Sequence, residues 1–306
     1  MPEYDFAILN MLNHNRRGLA ARKYFLDRLA PILFAPRVEN LIDFSDLGFR
    51  GCHVFLPLGP ENWNQMEADQ RGSLWKKSEN IMQNFAVASL AADRRLKAAL
   101  QPCAPTFPLL FGDDFIQALA AVLIRHLLGR RPINKLVIVG EMGELLPLLD
   151  CLEGCGIPVS VQNQQPAHDE AIAWRFLYEK GRAVSSSYVC PDKWDRGDLI
   201  VMFQPGYKRL AMASPGIFWL ELSDEGQNLA PSLENALVRV GMDSRLPILA
   251  PILESILYAK AGISARDVEI NGLNLKREIK NGTELEVLIE AGEQLGLWDP
   301  FREGCG

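Results

Sequence analysis

The chain reads as an α/β protein with a Rossmann-like parallel sheet domain and a second, N-terminal α/β domain. Three observations predict this class. Near-continuous apolar segments, LVIV at 136–139, DLIVMF at 198–203 and GIFWLEL at 216–222, alternate with helical stretches, as strands buried on both faces do. The stretch 135–162, KLVIVGEMGELLPLLDCLEGCGIPVSVQ, runs strand, glycine turn, helix, strand, the opening of a nucleotide-binding βαβ unit. And 306 residues are too many for one small core.

In chain order, DFAILNM at 5–11 predicts a first strand, and GLAARKYFLDRL at 18–29 a helix after the turn Asn13-His14-Asn15. Pro31 and Pro36 bracket an apolar piece, and a charged loop leads to a strand over Cys52–Leu56, stopped by Pro57 and Gly59. Residues 73–100 read as one long helix, with Ile81, Phe85, Ala88 and Ala92 on its apolar side. Pro102, Pro105 and Pro108 then mark the best hinge by composition. A helix follows from Asp113 or Asp114, its acidic start and its Arg125 and His126 matching the helix dipole.

The strand over 136–139 comes next, then a helix over about 144–152 and a strand over 159–161. Another helix starts after Pro166, and LVRV at 237–240 reads as a further strand. Leu246–Ala261 is a strongly apolar helix interrupted by Pro251, and GTELEVLIEAGEQLGL forms the last helix. The expected organisation is an N-terminal domain over 1–111, a nucleotide-binding domain over 112–245, and C-terminal helices over 246–306 packing back across the junction.

Composition narrows the function classes. The chain is 48% hydrophobic and 23% charged, with a net charge of −6 and a pI near 5.4. A nucleic-acid surface needs concentrated Lys and Arg, so that class is disfavoured. No apolar run approaches the ~20 residues of a membrane span. The N-terminus has no signal-peptide layout, so the expected location is cytoplasmic. The six cysteines, at 52, 103, 151, 155, 190 and 305, form no CxxC pair and no zinc signature, and no metal is expected.

The turn after the first strand of the second domain holds the candidate cofactor residues Gly140, Glu141, Met142 and Gly143. Its first two glycines suit a tight turn and a close approach of a diphosphate to the backbone. The third glycine position carries Leu146, and the Glu141 carboxylate stands where it would repel a diphosphate unless it points away. At the end of the next strand, Gln162 and Asn163 can hydrogen-bond a ribose but carry no charge to choose between NAD and NADP. The plain alternative is a glycine turn that only joins strand to helix.

The order of several pieces resembles the long-chain acyl-[acyl-carrier-protein] reductases and their relatives near shikimate dehydrogenase and glutamyl-tRNA reductase. These pieces are FAILNML, CHVFLP, SENIMQNFAVASLAADRR, GDDFIQALAAVLIRHL, VIVGEMGEL, PILAPILESILYAKAG and the closing LIEAGEQLGL. The resemblance implies a nicotinamide-binding Rossmann domain beside a substrate domain, and a cysteine that takes the acyl group as a thioester. The chain departs from that pattern. With Glu254 matched to the family's acidic residue, Pro251 falls at or beside the cysteine position, and no cysteine lies between Cys190 and Cys305.

Other candidates each carry a plain reading beside a functional one. His53 could exchange protons, or be a satisfied or surface histidine. Lys76, with Lys77, could supply a cleft lysine, or lie on a solvated helix face. His14, Arg16 and Arg17 could bind an anion, or form a solvated loop. Asp113 and Asp114 read as a helix cap. The Ser185–Tyr188 run reads as a Ser-rich loop, Trp194, Asp195 and Asp198 as a turn into a strand, and Glu221, Asp224 and Glu225 as a solvated loop.

Two functions follow as expectations. One is an NAD(P)-dependent oxidoreductase of unassigned substrate, with a small-molecule ligand in the cleft between domains. The other is a catalytically silent relative that senses a ligand or binds a protein. A homodimer is compatible with both, and a thiol enzyme using Cys52 or Cys103 is a third, less supported option.

Overall fold

The computed structural model describes residues 4–12, 14–18, 22–45, 47–85, 87, 89–100, 109–141, 145–224, 231–262 and 284–303. Its strands are β1 (Phe6–Met11), β2 (Arg37–Phe44), β3 (Phe49–Leu56), β4 (Leu90–Ala92), β5 (Leu109–Leu110), β6 (Leu136–Val139), β7 (Val159–Asn163), β8 (Val184–Tyr188), β9 (Leu199–Met202) and β10 (Phe218–Glu221). Its principal helices are α1 (Lys23–Leu33), α2 (Pro60–Gln65), α3 (Ala68–Asn84), α4 (Lys97–Leu100), α5 (Asp113–Leu128), α6 (Leu145–Cys151), α7 (Pro166–Lys180), α8 (Lys208–Ala213), α9 (Pro231–Arg239) and α10 (Leu246–Ala261). Two further helices, Glu284–Gln294 and Asp299–Glu303, close the chain. One compact unit comprises Met1–Phe115 with Pro231–Glu278, and the other Ile116–Ala230 with Ile279–Gly306.

The first unit is built on a five-stranded sheet of order β2-β3-β1-β4-β5. β1, β3, β4 and β5 run parallel, and β2 runs antiparallel to β3 at the edge. One face of the sheet presents Ala7, Leu9, Cys52, Val54 and Leu56 to Leu26, Trp63, Leu74 and Met82. α10 packs against β1 and β4. It is buried continuously from Leu246 to Tyr258, as a helix that is apolar all round must be.

Pro251 does not interrupt α10. Instead, the chain at Gly112 comes so close that a side-chain carbon there would lie 2.7 Å from the Pro251 nitrogen. Gly112 also has φ +83, so both backbone conformation and space require glycine.

Four local expectations are corrected here. RVENLIDF is the edge strand β2, not a charged loop; a bulge between Val38 and Asn40 breaks its alternation. The long helix expected over 73–100 ends at Asn84, and Leu90–Ala92 becomes β4 between β1 and β5. Its Leu-Ala-Ala sequence is helix-prone, but the small side chains suit a central strand directly beneath α10. LVRV lies at the end of helix α9 and the turn after it, not in a strand. VSSSY is the edge strand β8, with the Ser186 hydroxyl donating to the Pro166 carbonyl at 2.8 Å. The proline-rich hinge expected over 102–108 lies outside the described residues.

The second unit holds an all-parallel sheet of order β10-β9-β6-β7-β8. Counted along the chain from β6, that is the 3-2-1-4-5 order of a doubly wound nucleotide-binding sheet. The β6 backbone is buried between β7 and β9, with Val137 and Val139 packed against Ile200, Met202 and Trp194 on one face. The helix Glu284–Gln294 packs on α6. The fold is therefore α/β, with a Rossmann-like parallel sheet in one unit and a mixed, mostly parallel sheet in the other.

Candidate functional site

In an open parallel sheet, ligands lie outside the carboxyl ends of the strands, beside the point where strand order reverses. That point in the second unit is β6, flanked by β7 and β9. The chain leaves β6 at Gly140, whose N–H donates to the Gln162 carbonyl at 2.9 Å. Gly140 has φ +103, and a side-chain carbon there would meet Gln204 Cγ at 2.9 Å. The turn and the loop after β9 thus close on each other only because this residue is glycine.

A cavity of ≈ 410 Å³ opens at the ends of β6 and β7. Ile138, Leu145, Val161 and Ile172 form its apolar lining, and Gly140, Glu141, Asn163, Gln165, His168 and Asp169 its polar part. Strand alternation decides which end residue of β7 reaches it. Asn163 does. Gln162 turns the other way, where its Oε1 accepts from the Cys190 N–H at 3.2 Å and from Trp194 Nε1 at 3.0 Å.

Asn163 is 5% exposed and spends its amide inside the protein. Its Oδ1 accepts from the Gln165 N–H at 2.7 Å, and its Nδ2 donates to Asp169 Oδ2 in a short hydrogen bond. Asp169 stands in the first turn of α7. Burial raises its carboxyl above the ordinary value, the Asn163 hydrogen bond opposes the rise, and the Glu141 charge adds to it. Glu141 is exposed and lies on the same cavity.

Of the expected cofactor residues, the structure thus brings Gly140, Glu141 and Asn163 together and sends Gln162 into a structural network. Met142 and Gly143 lie outside the described residues. Leu146, at the third glycine position, is half-buried, and α6 buries Leu145, Leu148 and Leu149 instead. Asp169 was not among the expected site residues. The signal for it was the acidic residue in the opening turn of a helix that begins beside a sheet's carboxyl end.

In the first unit, His53 is 5% exposed, and among the described residues neither ring nitrogen has a hydrogen-bond partner. Glu39 Oε2 lies 3.7 Å from Nδ1, too far for a hydrogen bond. Burial lowers the His53 pKa, and the Glu39 charge opposes this. Lys76 is exposed on α3. Burial pushes the Cys52 thiol up to about 12, so it is not a ready nucleophile. Cys103 lies outside the described residues. Arg16, in the expected anion loop, donates Nε to the Pro57 carbonyl at 3.2 Å, while His14 and Arg17 are exposed.

Asp113 and Asp114 do not supply the cap of α5. Glu254 of α10 does, accepting from the N–H groups of Gly112, Asp114 and Phe115 at 3.3, 2.8 and 3.0 Å. Asp113 instead bridges Arg94 and Lys97, both at 2.6 Å. Burial pushes the Asp113 carboxyl up, but those two cations outweigh it and the pKa is lowered. Glu221 is no solvated-loop residue either. It is 4% exposed and pairs with Lys208 at 2.8 Å. Among the described residues, no three His, Cys, Asp or Glu side chains converge as a metal ion requires.

No protein-family model and no curated protein sequence matches this chain. Among solved structures, it is similar to L-tryptophan dehydrogenase from Nostoc punctiforme, with 11% identity over 98% of this chain and 86% of that one, at a TM-score of 0.43. It is also similar to a chorismate mutase/shikimate 5-dehydrogenase fusion protein from Clostridium acetobutylicum, with 13% identity over 97% of this chain and all of that one, at a TM-score of 0.37. The Rossmann-like class rests on the strand order of the second unit, and the finer resemblance to acyl reductases gains no support from these two structures.

Proposed function

We propose that the protein binds a nicotinamide dinucleotide on its second unit and acts as an oxidoreductase on a small-molecule substrate. The observation that carries this reading is the cavity at the carboxyl ends of β6 and β7 in a sheet of order 3-2-1-4-5. Gly140 and Asp169 are the residues of this chain that would meet the nucleotide, with Asn163 holding Asp169 in place. Cys52, the cysteine of β3, is assigned no covalent role, because it is buried with its thiol held protonated.

One observation favours a second reading, a scaffold that no longer binds a nicotinamide cofactor: the Glu141 carboxylate faces the cavity together with Asp169. Titration of the purified protein with NADH and NADPH, followed by nicotinamide fluorescence, separates the two. The oxidoreductase reading expects saturable binding of at least one of them in the micromolar range. Absence of binding by both at millimolar concentration overturns it and leaves the scaffold reading.

A further inference from the structure

Resting on the nucleotide-binding reading, we propose that Asp169 is the specificity residue of the cavity: it accepts a hydrogen bond from the adenosine 2′-hydroxyl and makes the site selective for NAD over NADP. In sheets of this order the residue at the end of the second strand usually meets the ribose, as an acid in NAD enzymes or with an arginine nearby in NADP enzymes. Here that residue is Asn163, which carries no charge and is already engaged within the protein. Its Oδ1 is taken by the Gln165 N–H and its Nδ2 by Asp169. The asparagine is a positioning residue. It holds the Asp169 carboxylate over the cavity by one oxygen, Oδ2, and leaves Oδ1 without a partner among the described residues.

The selectivity follows from charge. A ribose 2′-hydroxyl donates to a carboxylate in a charge-assisted bond. A 2′-phosphate at the same place brings its own negative charge toward Asp169 and toward Glu141, which lies close enough to raise the Asp169 pKa. Among the described residues no lysine or arginine lines the cavity to neutralise it, and His168 is the basic side chain there. The acid therefore sits on the helix after the strand, six residues beyond the usual place, with the strand-end residue serving as its mount.

The test compares NADH and NADPH by fluorescence titration of the full chain, in the native protein, in Asp169→Ser and in Glu170→Ser, which removes a charge from the next, exposed position of α7. The native protein is expected to bind NADH about tenfold or more tighter than NADPH. Asp169→Ser is expected to weaken NADH, to strengthen NADPH and to bring the ratio within about threefold, while Glu170→Ser leaves the native ratio in place. Equal native affinities overturn the inference alone, as does a ratio that is unchanged in Asp169→Ser or shifted as much by Glu170→Ser. If Asp169→Ser does not fold, the native ratio and the variant Asp169→Asn decide in the same way. Failure of both nucleotides to bind the native protein overturns the nucleotide-binding reading itself.

Discussion

Glu254 in the first unit and Asp169 in the second are both carboxylates whose pKa is raised chiefly by burial, and they serve opposite ends. Glu254 is 3% exposed and spends both oxygens on the backbone, closing the first turn of α5 with three N–H groups. The nearby Asp114 charge adds to the rise, and Asp114 itself accepts a hydrogen bond from the Tyr258 hydroxyl at 2.5 Å. Asp169 is held by a single oxygen and turns toward a cavity. A perturbed carboxyl is thus no signature of a site by itself. What separates the two is whether the acceptor capacity is used up inside the fold or left facing a space that a ligand can fill.

The largest expected effect lies on the Glu254 side. Glu254→Ala strips the acceptors from three N–H donors of a buried helix start and leaves a void, and should cost on the order of 3 kcal/mol. Glu254→Gln keeps the volume and one acceptor oxygen, and should cost about 1 kcal/mol. Urea unfolding midpoints of the two variants check this. Equal losses would mean that the filled volume, which Gln keeps, contributes nothing and that the acceptor oxygen missing from both variants carries the whole effect.

Next comes the turn that frames the cavity. Gly140→Ala must place a side chain at φ +103 within 2.9 Å of Gln204 Cγ, and should cost about 1–3 kcal/mol. Gly156→Ala has a similar positive φ of +71 but open space around it, and should cost less, about 1 kcal/mol. A thermal melt in which both variants lose the same would remove the argument from close approach.

The buried histidine gives a pH-dependent effect. The His53 pKa is lowered in the fold, so below the ordinary value of about 6.5 the unfolded chain binds a proton that the folded chain refuses. Its contribution is complete above that value and is lost as the pH falls toward the folded pKa, with a slope of at most about 1.4 kcal/mol per pH unit. Urea midpoints from pH 7.5 down to about 5 should fall more steeply for the native protein than for His53→Leu. Parallel pH profiles would show that the proton is taken up elsewhere.

The smallest effect returns to the cavity. Glu141→Gln removes the exposed carboxylate beside the expected diphosphate and should tighten NADH binding about two- to fivefold, or about 0.5–1 kcal/mol. Weaker binding in that variant would mean that Glu141 contacts the nucleotide favourably.

Much of this was legible in the chain. The apolar runs of β6, β9 and β10 and the helices α5, α7 and α10 lie where periodicity places them, because strands buried on both faces and helices with apolar stripes write their burial into the sequence. The edge strands were not legible. β2 and β8 are largely exposed, so no apolar alternation marks them, and β2 is further broken by a bulge. β4 was read as helix because Leu and Ala favour helices, while the demand for a thin strand under α10 exists only in the folded molecule.

At the cavity, the sequence by itself determined that a glycine turn follows β6, that Glu141 stands in it, and that polar residues end β7. Only the tertiary structure decided which of those residues face the cavity. Alternation along β7 sends Gln162 to Trp194 and Asn163 to the opening, and the turn into α7 brings Asp169 back over the strand end. Local chemistry is carried by residue type. The meeting of a strand end with the first turn of the next helix depends on how the chain folds back, and no single stretch of sequence contains it.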